Sequence, residues 1–174
     1  MKRILLVIFI LVYLQAIGCN NIKKYDVNVN YEVNEYHGGG IGRKDNSNNP
    51  QNFKPIFDEL ETNQCYLFNG YDDLEKFLND YELFLSDDMA HKYNRLFFND
   101  KALIIYFGCD SSGGYKYNFY LFTEGKVLNL IADKSRNKNS DHTTVEVDRI
   151  FFIDINKNDI LDTNEFKFSI ELND

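Results

Sequence analysis

The sequence contains no tryptophan, only two prolines, three cysteines and three histidines in 174 residues. Three cysteines exclude a disulfide-dense scaffold. His37, His91 and His142 stand far apart, and none has a second histidine at metal-pair spacing. Basic residues are also scarce: 19 Lys and Arg against 27 Asp and Glu give a net charge of −8. An acidic chain does not suit nucleic acid or anionic lipid, so membrane attachment would need something other than a basic patch. Only Ile4 to Leu14 forms a long apolar run. It is too short for a spanning helix, which takes about 20 residues.

What is present begins with that run. Lys2 and Arg3 precede it, and Ala16, Ile17 and Gly18 lead from it to Cys19. A positive start, a short apolar core and small residues read as a secretory signal peptide over residues 1–18. Ala-Ile-Gly-Cys also resembles a bacterial lipobox, although Ala16 stands where Leu is usual. The resemblance implies that Cys19 becomes the first residue and carries a diacylglyceryl thioether and an N-acyl chain of the palmitate type. Several acyl chains anchor stably where one binds only marginally. The expected location is therefore the cell envelope, lipid-anchored on the extracytoplasmic side. Loss of Lys2 and Arg3 with the leader leaves 17 basic residues against 27 acidic, a net charge of −10. Export permits a disulfide between Cys65 and Cys109, but both lie in apolar strand-like text where a free thiol packs as a small hydrophobe.

Residues 19–55 read as the lipidated Cys and a flexible tether. Val27, Val29, Tyr31 and Val33 alternate and suggest a short strand inside it, followed by the Gly- and Asn-rich stretch HGGGIGRKDNSNNPQN. Residues 56–174 read as one globular domain. Gln64–Phe68 is a strand candidate. Asp72 is placed as the N-cap of a helix, with Glu75 three residues on and Leu74, Phe77, Leu78, Tyr81 and Leu85 as its apolar stripe. Met89–Phe97 is a weaker helical segment. From Ala102 the period changes to two. ALIIYFG, GYKYNFYLF and KVLNLIA are strands, the last two joined at Thr123-Glu124-Gly125. Arg136 to His142 is a polar loop, TTVEVDRIFFI a longer strand, and EFKFSIEL the closing one. This pattern predicts an α+β fold: a mostly antiparallel sheet with one or two helices packed on one face.

Catalytic sets are absent from the pattern. Ser111 and Ser112 lie in CDSSGG without the glycine of a nucleophile elbow. The stretch FFNDKALIIYFGCDSSGGYKYNFYLF resembles the C-terminal domain of the small lipoprotein subunit of bacterial surface protease complexes. The likeness spans residues 97 to 131. It implies a non-catalytic module that stabilises a partner such as a surface protease, with Ser112, Gly113, Gly114 and Tyr115 forming a turn and its exposed aromatic.

DINKNDILDTNEF matches the twelve-position calcium loop in order. Asp154, Asn156 and Asn158 fill positions one, three and five. Ile160 offers its carbonyl at seven, Asp162 stands at nine, and Glu165 at twelve. Asp159 replaces the glycine usual at six. Strand-like text on both sides resembles the calcium loops of bacterial surface adhesins. The expectation is a structural Ca²⁺ clipping a C-terminal hairpin; the competing reading is a polar turn capped by its own Asn and Asp. The function expected is non-catalytic protein binding or complex stabilisation. The alternatives are a surface hydrolase or a small-ligand-binding lipoprotein. A binding module should expose aromatics around Tyr115 to Tyr120, whereas an enzyme should hold titratable groups with displaced pKa values in a cleft.

Overall fold

A computed structural model describes residues 27–37, 40–43, 63–110, 114–136 and 147–173. The leader, Cys19, Ser111 to Gly113 and the loop 137–146 lie outside them. Three layers stack on one another. The middle layer is a four-stranded antiparallel sheet in the order β2 (Tyr31–His37), β9 (Val147–Asn156), β6 (Lys101–Asp110), β4 (Gln64–Phe68). The expected α+β class holds, with strand predominating.

Burial on both faces of the middle sheet explains its most apolar text. Ala102 through Phe107 are each fully buried, and Ile150 through Ile155 nearly so. Leu103, Ile105, Phe107, Ile150 and Phe152 point into a core under the helices. Ala102, Ile104, Tyr106, Phe151, Ile153 and Ile155 point the other way into a second core. Each Leu, Ile or Phe among them contributes about 1.5–3 kcal/mol by leaving water.

The first core is roofed by α1 (Tyr71–Asp80), α2 (Asp87–Lys92) and α3 (Phe97–Asp100), with a short ribbon of β3 (Ile41–Arg43) and β5 (Leu83–Leu85). Leu74 and Phe77 of α1 are buried, as expected from the stripe. Leu85 is not part of that helix. The chain reverses at Glu82, whose φ is 53°, and Leu85 pairs with Ile41 in the ribbon. Asp72 is not the N-cap either: Gly70 is, without a side-chain cap. Asp72 sits in the first turn, where a carboxylate favours the helix dipole, and its carboxylate meets Arg95 at 2.7 Å. In the ribbon Gly42 has no room for a side chain, since a Cβ there would stand 2.4 Å from the Phe84 ring. Among the described residues no helix is long and apolar enough to cross a membrane.

The third layer covers the second core. It is a sheet in the order β1 (Val27–Asn28), β7 (Tyr115–Glu124), β8 (Val127–Arg136), β10 (Glu165–Asn173). β7 and β8 form the expected hairpin, one residue later than placed: Glu124 pairs with Val127, and Gly125 turns with φ 58° as the first central residue. The third layer and the middle sheet thus form a sandwich.

Two expectations change. Residues 31–37 and 41–43, assigned to the tether, belong to the fold, since β2 pairs with β9 along its whole length. β1 and β2 are one passage of chain that leaves the third layer at Val29 and enters the middle sheet at Tyr31. The C-terminal strands are not a hairpin. β9 lies in the middle sheet and β10 in the outer one, where it runs parallel to β8. A 3-10 turn at Lys157–Asp159 carries the chain round this corner.

Candidate functional site

Alternation along β7 points Tyr115, Tyr117, Phe119 and Leu121 inward and leaves Lys116, Asn118 and Tyr120 facing out. Among the described residues β1 pairs with β7 at Phe122 and Thr123, and beyond that point β7 runs beside β2. Between them runs a groove of about 480 Å³ lined by Tyr31, Val33 and Glu35 of β2, Tyr117 to Tyr120 of β7, and Phe151. Its apolar groups reach solvent: Tyr31 and Val33 are each 38% exposed and Tyr120 47%.

Side chains from β2 and β9 occupy the edge carbonyls of β7. The Tyr31 hydroxyl donates to the Phe119 carbonyl. Val29 N–H donates to the Leu121 carbonyl at 3.2 Å. Arg149, on β9 between the two sheets, donates through Nη1 to the Tyr115 carbonyl and through Nε to Glu35 Oε1 at 2.6 Å. Its guanidinium lies 4.8 Å from the Tyr117 ring centre and 5.3 Å from that of Phe151. Lys134 stands 4.4 Å above Tyr115 on the same side. Cations over aromatic faces keep these rings in fixed orientation. Gly108 completes the packing, since a Cβ there would meet the Tyr117 hydroxyl at 3.2 Å.

Tyr31 in the groove, Cys65 on β4 and Tyr93 under the helices have titrations that move away from neutrality. Burial, aided by neighbouring Tyr120, raises the Tyr31 hydroxyl above its ordinary range. Burial also raises Cys65 and Tyr93, the latter further by the Asp154 carboxylate beside it. These groups stay protonated at pH 7 and serve as donors and packing rather than as acids or bases.

The sequence-derived site residues separate in space. Tyr115 is half-buried at the start of β7, and Gly114 beside it is buried. Ser112, Gly113 and the lipid-bearing Cys19 lie outside the described residues. Cys65 is a free thiol. It pairs with Tyr106, three residues from Cys109 along β6, roughly 10 Å along the strand, whereas a disulfide spans about 7 Å at most.

The residues of the expected calcium loop have other partners in this structure. The strand runs on through Asn156, so Asp154 is a strand residue, with its side chain only 2% exposed under the helices. Its Oδ1 accepts from the Tyr93 hydroxyl at 2.8 Å. Lys92 Nζ lies 2.9 Å from Oδ2, a charge contact rather than a well-directed hydrogen bond. The Ile160 carbonyl already accepts from Thr163 N–H at 3.0 Å and Thr163 Oγ1 at 2.7 Å. Asp159 Oδ2 takes the Asn30 N–H at 3.4 Å, and Glu165 pairs with Lys167 at 3.2 Å. Asn158 and Asp162 stand in the turn, with Asp162 exposed. Among the described residues no group of three or more His, Cys, Asp or Glu side chains is placed to hold a metal.

Arg149 and Glu35 form no motif in the sequence, and Tyr31 stands there only in the alternation of a short strand. A buried-strand arginine in VDRIFFI was the available signal, because an apolar strand holds a charge only with a partner. Compared with protein-family models, curated proteins and solved structures, the chain matches none.

Proposed function

We propose that this chain is an extracytoplasmic lipoprotein that binds a protein partner non-catalytically through the β2–β7 groove. The observation that carries the reading is the groove itself. It combines exposed Tyr31, Val33 and Tyr120 with a rigid backing of Arg149 and Glu35. Tyrosines offer large contact area and a polar tip at small entropy cost, which suits a polypeptide segment. The Tyr115, Phe119 and Leu121 carbonyls beneath already accept hydrogen bonds, so recognition falls to side chains rather than to an added strand. The net negative charge disfavours nucleic acid. The resemblance of residues 97 to 131 to the protease-complex subunit supplies the partner class, a surface protease. The lipobox-like stretch supplies the tether, through lipid on Cys19.

The test places a photo-crosslinking amino acid at Tyr120 in cells, with the same probe at exposed Lys76 of α1 as the control. A discrete envelope-protein adduct at Tyr120 alone, weakened by Tyr31→Ser, is expected. Equal labelling at both positions would remove the groove from this account. A Cys19→Ser protein that still sediments with membranes would remove the anchor.

A further inference from the structure

We infer that β10 is a dimerisation strand: two copies of this chain pair β10 with β10, antiparallel and centred on Ser169. This goes beyond the groove reading and does not rest on it, because β10 lies at the opposite edge of the outer sheet from β1 and β7.

Three observations carry the inference. First, β10 is long for an edge strand, Glu165 to Asn173, and among the described residues it pairs with β8 alone. Its other side offers a row of backbone donors and acceptors. Second, its inner face is only partly covered. Phe166, Phe168 and Ile170 pack on the sandwich core yet stay half-buried, and Leu172 is 70% exposed. A neighbouring sheet would finish their burial. Third, the strand is complementary to itself when reversed. Directly opposed residues in an antiparallel pair share a face. Centred on Ser169, Lys167 opposes Glu171 twice, Phe168 opposes Ile170, Phe166 opposes Leu172, and Glu165 opposes Asn173. Apolar meets apolar and opposite charges meet. Centring on Phe168 instead sets Glu165 against Glu171, and centring on Lys167 sets lysine against lysine. Centring between residues mixes the two faces. Centring on Ile170 opposes no like charges but shortens the pairing and loses both Lys–Glu pairs. A two-fold axis at Ser169 therefore joins two outer sheets into one continuous sheet, an isologous contact that closes and does not polymerise.

Strand-on-strand contact is small, so the dimer is weak in solution. Two chains held on one membrane by lipid meet at high effective concentration and would present two grooves together.

The test uses the full chain in its own membrane with a mild disulfide oxidant. In Ser169→Cys the paired Cα atoms lie about 4.5–5.5 Å apart, within disulfide reach. In Asn173→Cys they are eight residues apart along the strand, roughly 26 Å. Linked dimer is expected at least about tenfold faster at position 169 than at 173, with the unsubstituted chain as background for the native thiols. Adding Lys167→Glu to Ser169→Cys sets glutamate against glutamate and slows linking about tenfold. Adding Glu171→Lys as well restores it, which a folding defect would not do. Equal linking at both positions, or no restoration, would overturn the inference. So would slow amide exchange along every residue of β10 in the unlinked monomer, because another part of the chain would then already cover that edge.

Discussion

The two edges of the outer sheet solve one problem in opposite ways. At β7 the edge carbonyls of Tyr115, Phe119 and Leu121 are taken by Arg149, Tyr31 and Val29. At β10, among the described residues, no such plug meets the edge, and the solvent face of EFKFSIEL bears charges of both signs. A plugged edge offers side chains for recognition; an unplugged one offers backbone. One sheet thus presents two chemically different surfaces.

The largest expected effect comes from opening the plugged edge. Arg149→Leu takes the guanidinium from the Tyr115 carbonyl and Glu35 and leaves a cavity beside Tyr117 and Phe151, and should lower stability by about 2–3 kcal/mol in urea unfolding. It should also promote association through β7. A loss under about 0.5 kcal/mol would mean that Arg149 does not plug this edge. Tyr31→Phe removes one donor and should cost about 1 kcal/mol, with faster amide exchange confined to residues 117–121. Its pH dependence sharpens the point. Burial raises the Tyr31 pKa in the folded state. Its contribution is therefore full below the unfolded tyrosine pKa of about 10 and falls as pH rises further, because the unfolded chain ionises first. Tyr31→Phe should flatten that alkaline limb of the stability curve, while β10 substitutions leave it alone. Cys65→Ala should flatten the part that starts near pH 8.5, by the same sign.

The smallest expected effect concerns the corner that delivers β10. Calcium there must draw Asp154 from Tyr93 and Lys92 and unbind the Ile160 carbonyl from Thr163. Melting curves with millimolar calcium and with EDTA should coincide. A rise in calcium that Glu165→Gln abolishes would restore the metal and make the corner a regulated one.

Much of the architecture is legible in the residues because it depends on local periodicity. ALIIYFG and IFFI are unbroken apolar text, as expected of a strand covered on both faces. Leu74 and Phe77 announce the buried side of α1, and Gly125 announces the hairpin. The site was harder to read. The pattern Val27, Val29, Tyr31, Val33 records alternation but not that the strand changes sheets halfway. That change is what brings Tyr31 to Phe119 and forms the groove. Arg149 and Glu35 are 114 positions apart in sequence, and only the β2–β9 register brings them together.

Composition and periodicity alone determined the acidic balance, the lipobox-like start, the two-sided middle strands and the helix stripe, since each follows from neighbouring residues and their contact with water. Tertiary structure decided which carboxylates are engaged and which edges are open. Asp154 sits in the same text whether it faces a loop or a helix. It faces Tyr93 because β9 remains extended through Asn156 and the corner turns away to the other sheet. Pairing partners for a strand are chosen by the whole chain's packing, and no local window of residues contains that choice.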